Sequence, residues 1–274
     1  MAPTYLPILK SLSSEYEASK HVDAAHAATI HPLFDVPIIS ENRQKAKKYR
    51  YSTTPVSDYL DEVAESIGKS WKGELVLADA FNWAPDATVE TGEHALAYLH
   101  GSLKAQGVTV VPVFGYDRWD DPVYRVAMRG LDLSNAPYVC LRLEASAIED
   151  AAEPEVFHDR VGEMLEDIEA SPAHCAVLID LGDLTSRSLM EIIGDATRVL
   201  DLLSGYGFRY VATAGSSMPK SIDLAVKKQD SSAPVVRKEM LLWQALRTEL
   251  PGLPLVFGDY GGQTQPTSAT RAGV

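Results

Sequence analysis

The sequence is poor in cysteine and has no long apolar run, and both shortages limit what the chain can be. Its 274 residues include two cysteines, Cys140 and Cys175, and each lies inside an apolar run rather than in a CxxC or Cys/His cluster. We therefore expect reduced core thiols, not a disulfide framework or a thiolate metal site. No apolar stretch approaches the roughly 18 residues of a membrane span. The N-terminus also lacks a basic region followed by an apolar core. These absences predict a cytoplasmic protein without a membrane role.

Positive charge is also scarce. The 25 Lys and Arg residues face 38 Asp and Glu residues, for a formal net charge of −13. Such a balance disfavours general binding to nucleic acid or to anionic membranes. One exception is the basic run Arg43–Arg50, within ENRQKAKKYR. Two interpretations stay open: a lid that attracts an anionic ligand or a nucleic-acid end, and a solvated loop.

Short apolar runs alternate with helical patterns along the chain. Because the runs are continuous rather than alternating, they indicate strands that are covered on both faces, as parallel strands are. The predicted strands are Tyr5–Leu9, Pro32–Val36, Leu75–Ala78, Val108–Phe114, Tyr138–Leu143, Ala176–Leu181, Tyr210–Ala214 and Leu255–Phe257. The predicted helices are Ser14–Thr29, Asp58–Trp71, Glu93–Gln106, Pro122–Leu131, Pro154–Glu169, Ser186–Ser204 and Val235–Leu250.

Eight such units predict an α/β fold of the (β/α)₈ TIM-barrel type as one domain over residues 1–261. An open doubly wound sheet is the alternative, but no GxGxxG follows the first strand. Residues 262–274 are rich in Gly, Ser and Thr and lack helical periodicity, so we expect a flexible tail and no regular eighth helix. An uncovered surface near strands eight and one would suit a protein partner or self-association, unless a loop or another helix covers it.

Polar side chains end the predicted strands, at the barrel face where active sites form. Since side chains alternate along a strand, Leu75, Leu77 and Asp79 share one face, and the same register is available in the other strands. The candidate residues are Lys10, Asp35, Asp79, Tyr116, Arg118, Arg142, Glu144, Asp180, Ser216, Ser217, Asp259 and Tyr260. We expect them to gather around one mouth.

Two kinds of site fit these residues. Carboxylates suit Mg²⁺, so the acids would hold a metal or supply a general base, and the catalytic candidates are Lys10, Asp79, Arg142, Glu144 and Asp180. The alternative is a closed ion-pair network without chemistry, because buried charges must be paired. Lys10 also allows a Schiff base with a carbonyl substrate or pyridoxal phosphate, but nothing else specifies a pyridine ring. The sequence contains no HExxH, GxSxG or GxxxxGK[ST] motif.

The stretch AGSSMPKS after the seventh predicted strand has the composition of an anion-binding loop. Gly215 permits close approach of the backbone, Ser216 and Ser217 offer hydroxyl donors, and Lys220 adds positive charge. The loops after strands seven and eight often bind phosphate in such barrels. A simple turn with a serine N-cap is the alternative.

Several stretches together are similar to a known family, over nearly the whole chain. They are YLPILKS, HPLFDVP, ALAYL, VVPVFGYDR, YVCLRLE, VLIDLGD, AGSSMPKSI, KEMLLWQAL and FGDYG. In this order they resemble the phage beta-protein family, which occurs in phages and in bacterial mobile or defence-like neighbourhoods. Members continue past this point, so the resemblance implies a shortened C-terminus. It implies a shared site without naming a reaction.

Two functional hypotheses follow. The first is an enzyme that binds a phosphate-bearing or other anionic small molecule at the mouth, with metal-assisted phosphoester hydrolysis as its reaction. The second is a non-catalytic protein of phage–host conflict that recognises a phage component, a nucleotide signal or a partner protein.

Overall fold

The chain forms a closed barrel of eight parallel strands, each paired with its neighbours in chain order. In this computed structural model the described residues are 2–73, 75–219, 221–228 and 230–261. The strands are β1 (Tyr5–Leu9), β2 (Leu33–Asp35), β3 (Val76–Asp79), β4 (Val110–Gly115), β5 (Val139–Leu143), β6 (Cys175–Asp183), β7 (Tyr210–Ser216) and β8 (Leu255–Tyr260).

Pairing of β1 with β8 closes the barrel. Tyr5 lies opposite Phe257 and Ile8 opposite Tyr260, in parallel register. This closure confirms the (β/α)₈ prediction and excludes the open doubly wound sheet, in which the first and last strands in chain order do not pair. The predicted tail, residues 262–274, lies outside the described residues.

Helices surround the barrel and are more numerous than the seven predicted. Those in the described residues are α1 (Ser13–Lys20), α2 (Ala24–Ala27), α3 (Glu41–Gln44), α4 (Pro55–Ser70), α5 (Ala95–Ala105), α6 (Pro122–Arg129), α7 (Ala145–Asp150), α8 (Pro154–Asp167), α9 (Leu189–Leu203), α10 (Ile222–Ala225) and α11 (Lys238–Glu249). None of them is both long and apolar enough to cross a membrane.

The predicted helix Ser14–Thr29 is wrong, because two helices occupy this segment. The first, α1, ends at Lys20, and Asp23 then accepts a hydrogen bond from the backbone N–H of His26 as the N-cap of α2. An aspartate that caps a new helix competes with continuation of the old one, and a hydrophobic pattern does not register that competition.

Two apolar layers enclose the strands. One lies between the strands and the helices, and the other fills the barrel interior. Cys140 belongs to the interior and Cys175 to the outer layer, and both are buried free thiols as predicted. The described interior residues are Leu6, Ile8, Leu33, Leu75, Leu77, Val111, Val113, Tyr138, Cys140, Ala176, Leu178, Tyr210, Ala212, Ala214, Val256 and Tyr260.

Aromatic side chains fill the end of the barrel at which the strands begin. The hydroxyl of Tyr138 lies 2.6 Å from Nδ1 of His31 and 2.9 Å from the hydroxyl of Tyr210. Burial, with the nearby Arg209 guanidinium, lowers the pKa of His31 to about 4, so its imidazole is neutral at pH 7. The packed rings therefore close the barrel interior at the end where the strands begin.

Candidate functional site

A charged layer lies directly above the apolar interior, at the C-terminal ends of the strands. It follows from the alternation of side chains: the residue two positions beyond an inward apolar residue also faces inward. In β3, for example, Leu77 lies in the interior and Asp79 comes two residues later. The residues at these mouth positions are Lys10, Asp35, Asp79, Gly115, Arg142, Asp180, Ser216 and Tyr260.

Arg142 is the centre of the layer and is fully buried. Its Nη1 donates to Asp79 at 2.8 Å, and its Nη2 and Nε donate to Oδ2 of Asp180 at 2.6 and 3.0 Å. The Tyr260 hydroxyl also donates to Asp180, at 2.6 Å, and the ring of Phe81 lies 3.9 Å from the guanidinium carbon. Because the guanidinium is tightly paired, the attraction of these carboxylates raises the pKa of Arg142 despite burial.

Arg118 extends the layer from β4. Its Nη1 and Nη2 donate to the two oxygens of Asp79 at 2.7 and 3.0 Å, a bidentate pair. The guanidinium packs on Gly115, where any Cβ atom would overlap it. Glycine at the end of β4 therefore provides the space that Arg118 occupies. Its Nε has no hydrogen-bond partner among the described residues.

Lys10 and Asp35 form the pair on the β1–β2 side. The ammonium lies 2.6 Å from Oδ2 of Asp35 and 5.0 Å from the ring centroid of Tyr260. Asp35 Oδ2 lies 3.9 Å from Nη2 of Arg142, whereas buried Oδ1 has no hydrogen-bond partner among the described residues. Ser11, which follows, adopts a left-handed φ of 56°, a strain of the kind that concentrates at functional sites.

Glu144 lies at the far side of the array and differs from the other acids. Its Oε2 accepts a hydrogen bond from the backbone N–H of Asp117 at 3.1 Å, and its Oε1 lies 3.7 Å from Nη2 of Arg118. Burial outweighs the attraction of Arg118 and raises the pKa of Glu144 to about 8. This carboxyl is therefore mostly protonated at pH 7, and it can give a proton to a neighbouring oxygen.

The array carries balanced charge. Three cations and three carboxylates from β1 to β6 are joined in the order Lys10, Asp35, Arg142, Asp79 and Arg118, with Asp180 beside Arg142. No group of three or more His, Cys, Asp or Glu side chains among the described residues is arranged to hold a metal ion. Since guanidinium and ammonium groups engage the carboxylates, the arrangement does not fit the Mg²⁺ site that the sequence suggested.

The serine-rich stretch after β7 uses its hydroxyls within the protein. Ser217 donates to Glu239 at 2.5 Å and accepts from the backbone N–H of Lys238 at 2.9 Å. Ser216 accepts from the backbone N–H of Met218 at 3.3 Å, and the fourth predicted member, Lys220, lies outside the described residues. In this structure Ser217 joins the start of the β7–α11 connection to its end.

Gly215 serves close packing, because a Cβ there would overlap the side chain of Leu184. The neighbouring Lys238, which the sequence did not single out, donates to three backbone carbonyls, those of Leu184, Thr185 and Arg187, at 2.8, 3.1 and 2.6 Å. It thereby fixes the β6–α9 connection to the start of α11. No motif marks a lysine of this kind, because its acceptors are backbone atoms that only the fold brings near.

Two predicted site residues lie away from the array. The hydroxyl of Tyr116 donates to Asp150 at 2.9 Å and its ring belongs to the outer apolar layer. Asp259 accepts from the Tyr5 hydroxyl at 2.5 Å and pairs with Arg237. Strand parity places Asp259 opposite in direction to its neighbour Tyr260, which faces the interior.

The basic segment after β2 is partly neutralised. Arg43 and Lys48 both pair with Glu62, at 3.4 and 2.9 Å, and Lys45 pairs with Glu41 at 3.1 Å. These exposed pairs offset part of the positive charge of the segment.

Fold and mouth together define a (β/α)₈ barrel protein with a buried, charge-balanced polar array at the C-terminal ends of its strands. A comparison with family models matches residues 5–274 to the Beta protein family. The chain therefore belongs to this family. Comparison with curated proteins finds no match.

Proposed function

We propose that the protein binds a phosphate-bearing or other anionic small molecule at the mouth of the barrel. The observation that carries this proposal is Lys10. Its ammonium makes one hydrogen bond, to Asp35, among the described residues, although it has three N–H donors. An ammonium with unused donors at the edge of a buried polar array suits an anionic oxygen.

The location follows from the barrel. Active sites of this fold form at the C-terminal ends of the strands. The other end is filled by Tyr138, Tyr210 and His31. Stability alone does not account for six buried charged groups, because well-packed apolar side chains often give a fold the same free energy of unfolding as a buried ion-pair network. The array is therefore more consistent with ligand binding than with a structural role.

Glu144 supplies the chemistry of a possible reaction. A carboxyl that is protonated near pH 7 is suited to act as a general acid. In a phosphoester long enough to extend from Lys10 across the mouth, it would protonate the leaving oxygen, while the attacking water gives up a proton to solvent. Arg118, 3.7 Å away, would stabilise negative charge that develops on the phosphoryl oxygens. Phosphoester hydrolysis that does not depend on a metal ion bound to this array is thus the reaction to test first.

A specific observation favours non-catalytic recognition as the second candidate. Asp35, Asp79 and Asp180 each hold a cation at 2.6–2.7 Å, and a carboxylate engaged in such a pair is a poor candidate for a general base. In this alternative the mouth binds a phage component or a nucleotide signal in phage–host conflict, and no bond is broken.

The test compares Lys10→Met with Lys69→Met, an exposed control on α4. Calorimetric titration with inorganic phosphate and pyrophosphate measures binding, and release of phosphate from a panel of phosphomonoesters measures turnover. We expect Lys10→Met to lose most of the binding and Lys69→Met to keep it. Because Lys10→Met leaves Asp35 unpaired, the double variant Lys10→Met/Asp35→Asn is measured too. Unchanged affinity in these variants would refute the anion site, and binding without turnover would favour recognition.

A further inference from the structure

Oδ1 of Asp35 indicates the chemical class of the ligand more specifically than the cations of the array do. Asp35 is fully buried, and its Oδ2 receives the Lys10 ammonium at 2.6 Å. Its Oδ1 has no hydrogen-bond partner among the described residues. Nearly all buried polar side-chain atoms in proteins are hydrogen-bonded, and a buried carboxylate oxygen without a donor is costly.

The neighbouring side chains that the structure describes do not supply this donor. Arg142 approaches the other oxygen, Oδ2, and only to 3.9 Å, and its N–H groups already donate to Asp79, Asp180 and Tyr260. Oδ1 of Asp35 is therefore an acceptor to which no described residue donates.

Charge balance narrows the chemistry further. The array pairs its three cations with three carboxylates, and Glu144 is largely neutral at pH 7. Glu15, the next carboxyl on this side, is also buried, and burial raises its pKa and so opposes its ionisation. A bare phosphate or carboxylate would add negative charge that the paired array does not offset, so we expect it to bind more weakly than a ligand that carries its own cation.

We propose that the ligand is a zwitterion, with a protonated amine beside a phosphate or carboxylate group. This inference rests on the anion site proposed above. The anionic group meets the spare donors of Lys10. The ammonium donates to Oδ1 of Asp35, on the other side of the same ion pair. Both groups thus complete one pair, Lys10 and Asp35, whose partner atoms lie 2.6 Å apart.

Phosphoethanolamine and propyl phosphate test the idea, because they differ chiefly in an ammonium group where the other has a methyl group. A charge-assisted hydrogen bond in a buried site is worth about tenfold or more in affinity. Calorimetric titration of the whole chain should therefore give at least about tenfold tighter binding of phosphoethanolamine. In Asp35→Asn this preference should fall to about one. The remaining side-chain oxygen would accept from Lys10, so the NH₂ group would take the place of Oδ1 and present N–H donors to the ligand amine. Asp159→Asn, an exposed aspartate on α8, is the control and should keep the preference.

The outcomes separate the two proposals. Equal binding of both compounds by the unmodified protein would overturn the zwitterion and leave the anion site standing. Binding of neither would overturn the anion site and this inference with it. A preference that survives in folded Asp35→Asn would show that another group receives the amine and would overturn the role of Asp35. If Asp35→Asn does not fold, the comparison of the two compounds on the unmodified protein still decides the ligand class.

Discussion

Replacing Glu144 by glutamine should change how stability depends on pH, and the structure gives the sign and size of the effect. Burial raises the pKa of Glu144 to about 8, from an ordinary value of 4.5. Glutamine has the shape of the protonated acid, and its side-chain oxygen can still accept the hydrogen bond from the backbone N–H of Asp117. The variant therefore keeps the neutral state and removes the titration.

The direction follows from proton counting. Below pH 4.5 the carboxyl is protonated in both the folded and the unfolded chain, so its contribution to stability is fully present. Between pH 4.5 and 8 the folded state holds one more proton than the unfolded state, so the free energy of unfolding falls as pH rises. Each pH unit costs at most about 1.4 kcal/mol, so the loss from pH 5 to 8 is on the order of 4 kcal/mol at most.

Urea unfolding at pH 5, 6, 7 and 8 measures this loss as a difference. Subtracting the free energy of unfolding of Glu144→Gln from that of the unmodified protein cancels every other titration. We expect this difference in the free energy of unfolding to fall as the pH rises from 5 to 8. The same difference for Glu149→Gln, an exposed neighbour on α7, should show no trend with pH. A flat difference for Glu144→Gln would mean that the acid is ionised in the folded protein and would remove the general-acid role.

Two further substitutions test how the mouth and its neighbouring connection are held. Gly115→Ala should displace the Arg118 guanidinium and lower the free energy of unfolding by about 1–3 kcal/mol. The control Gly162→Ala, in the open middle of α8, should raise it by about 0.5–1 kcal/mol. Equal effects of the two variants in urea unfolding would contradict the packing role of Gly115. Lys238→Met should remove three hydrogen bonds to backbone carbonyls. We expect faster amide exchange at residues 184–187, and unchanged exchange there would show that the lysine does not fix this connection.

Local patterns in the sequence were sufficient to predict the barrel and much of its polar layer. Continuous apolar runs mark parallel strands, and eight of them with intervening helices close a barrel. Alternation within a strand then places Asp79 two residues above Leu77 and Arg142 two above Cys140. The same alternation in β8 puts Tyr260 on the inward face and Asp259 on the outward face, so it would have removed Asp259 from the candidate residues. Asp259 instead contacts Tyr5 and Arg237.

Tertiary structure decided which charges meet and what state they take. Phe81 against Arg142, Glu239 against Ser217 and the three carbonyls at Lys238 are contacts between segments far apart in the chain, so no local pattern encodes them. Oδ1 of Asp35, which has no hydrogen-bond partner within the described part of the chain, and the protonated Glu144 both depend on burial and on neighbours from other strands. The sequence by itself thus determined the barrel and the strand ends at which charge accumulates. Only the closed barrel decided the pairing, because pairing energy depends on distance and solvent exclusion, which arise when the strands come together.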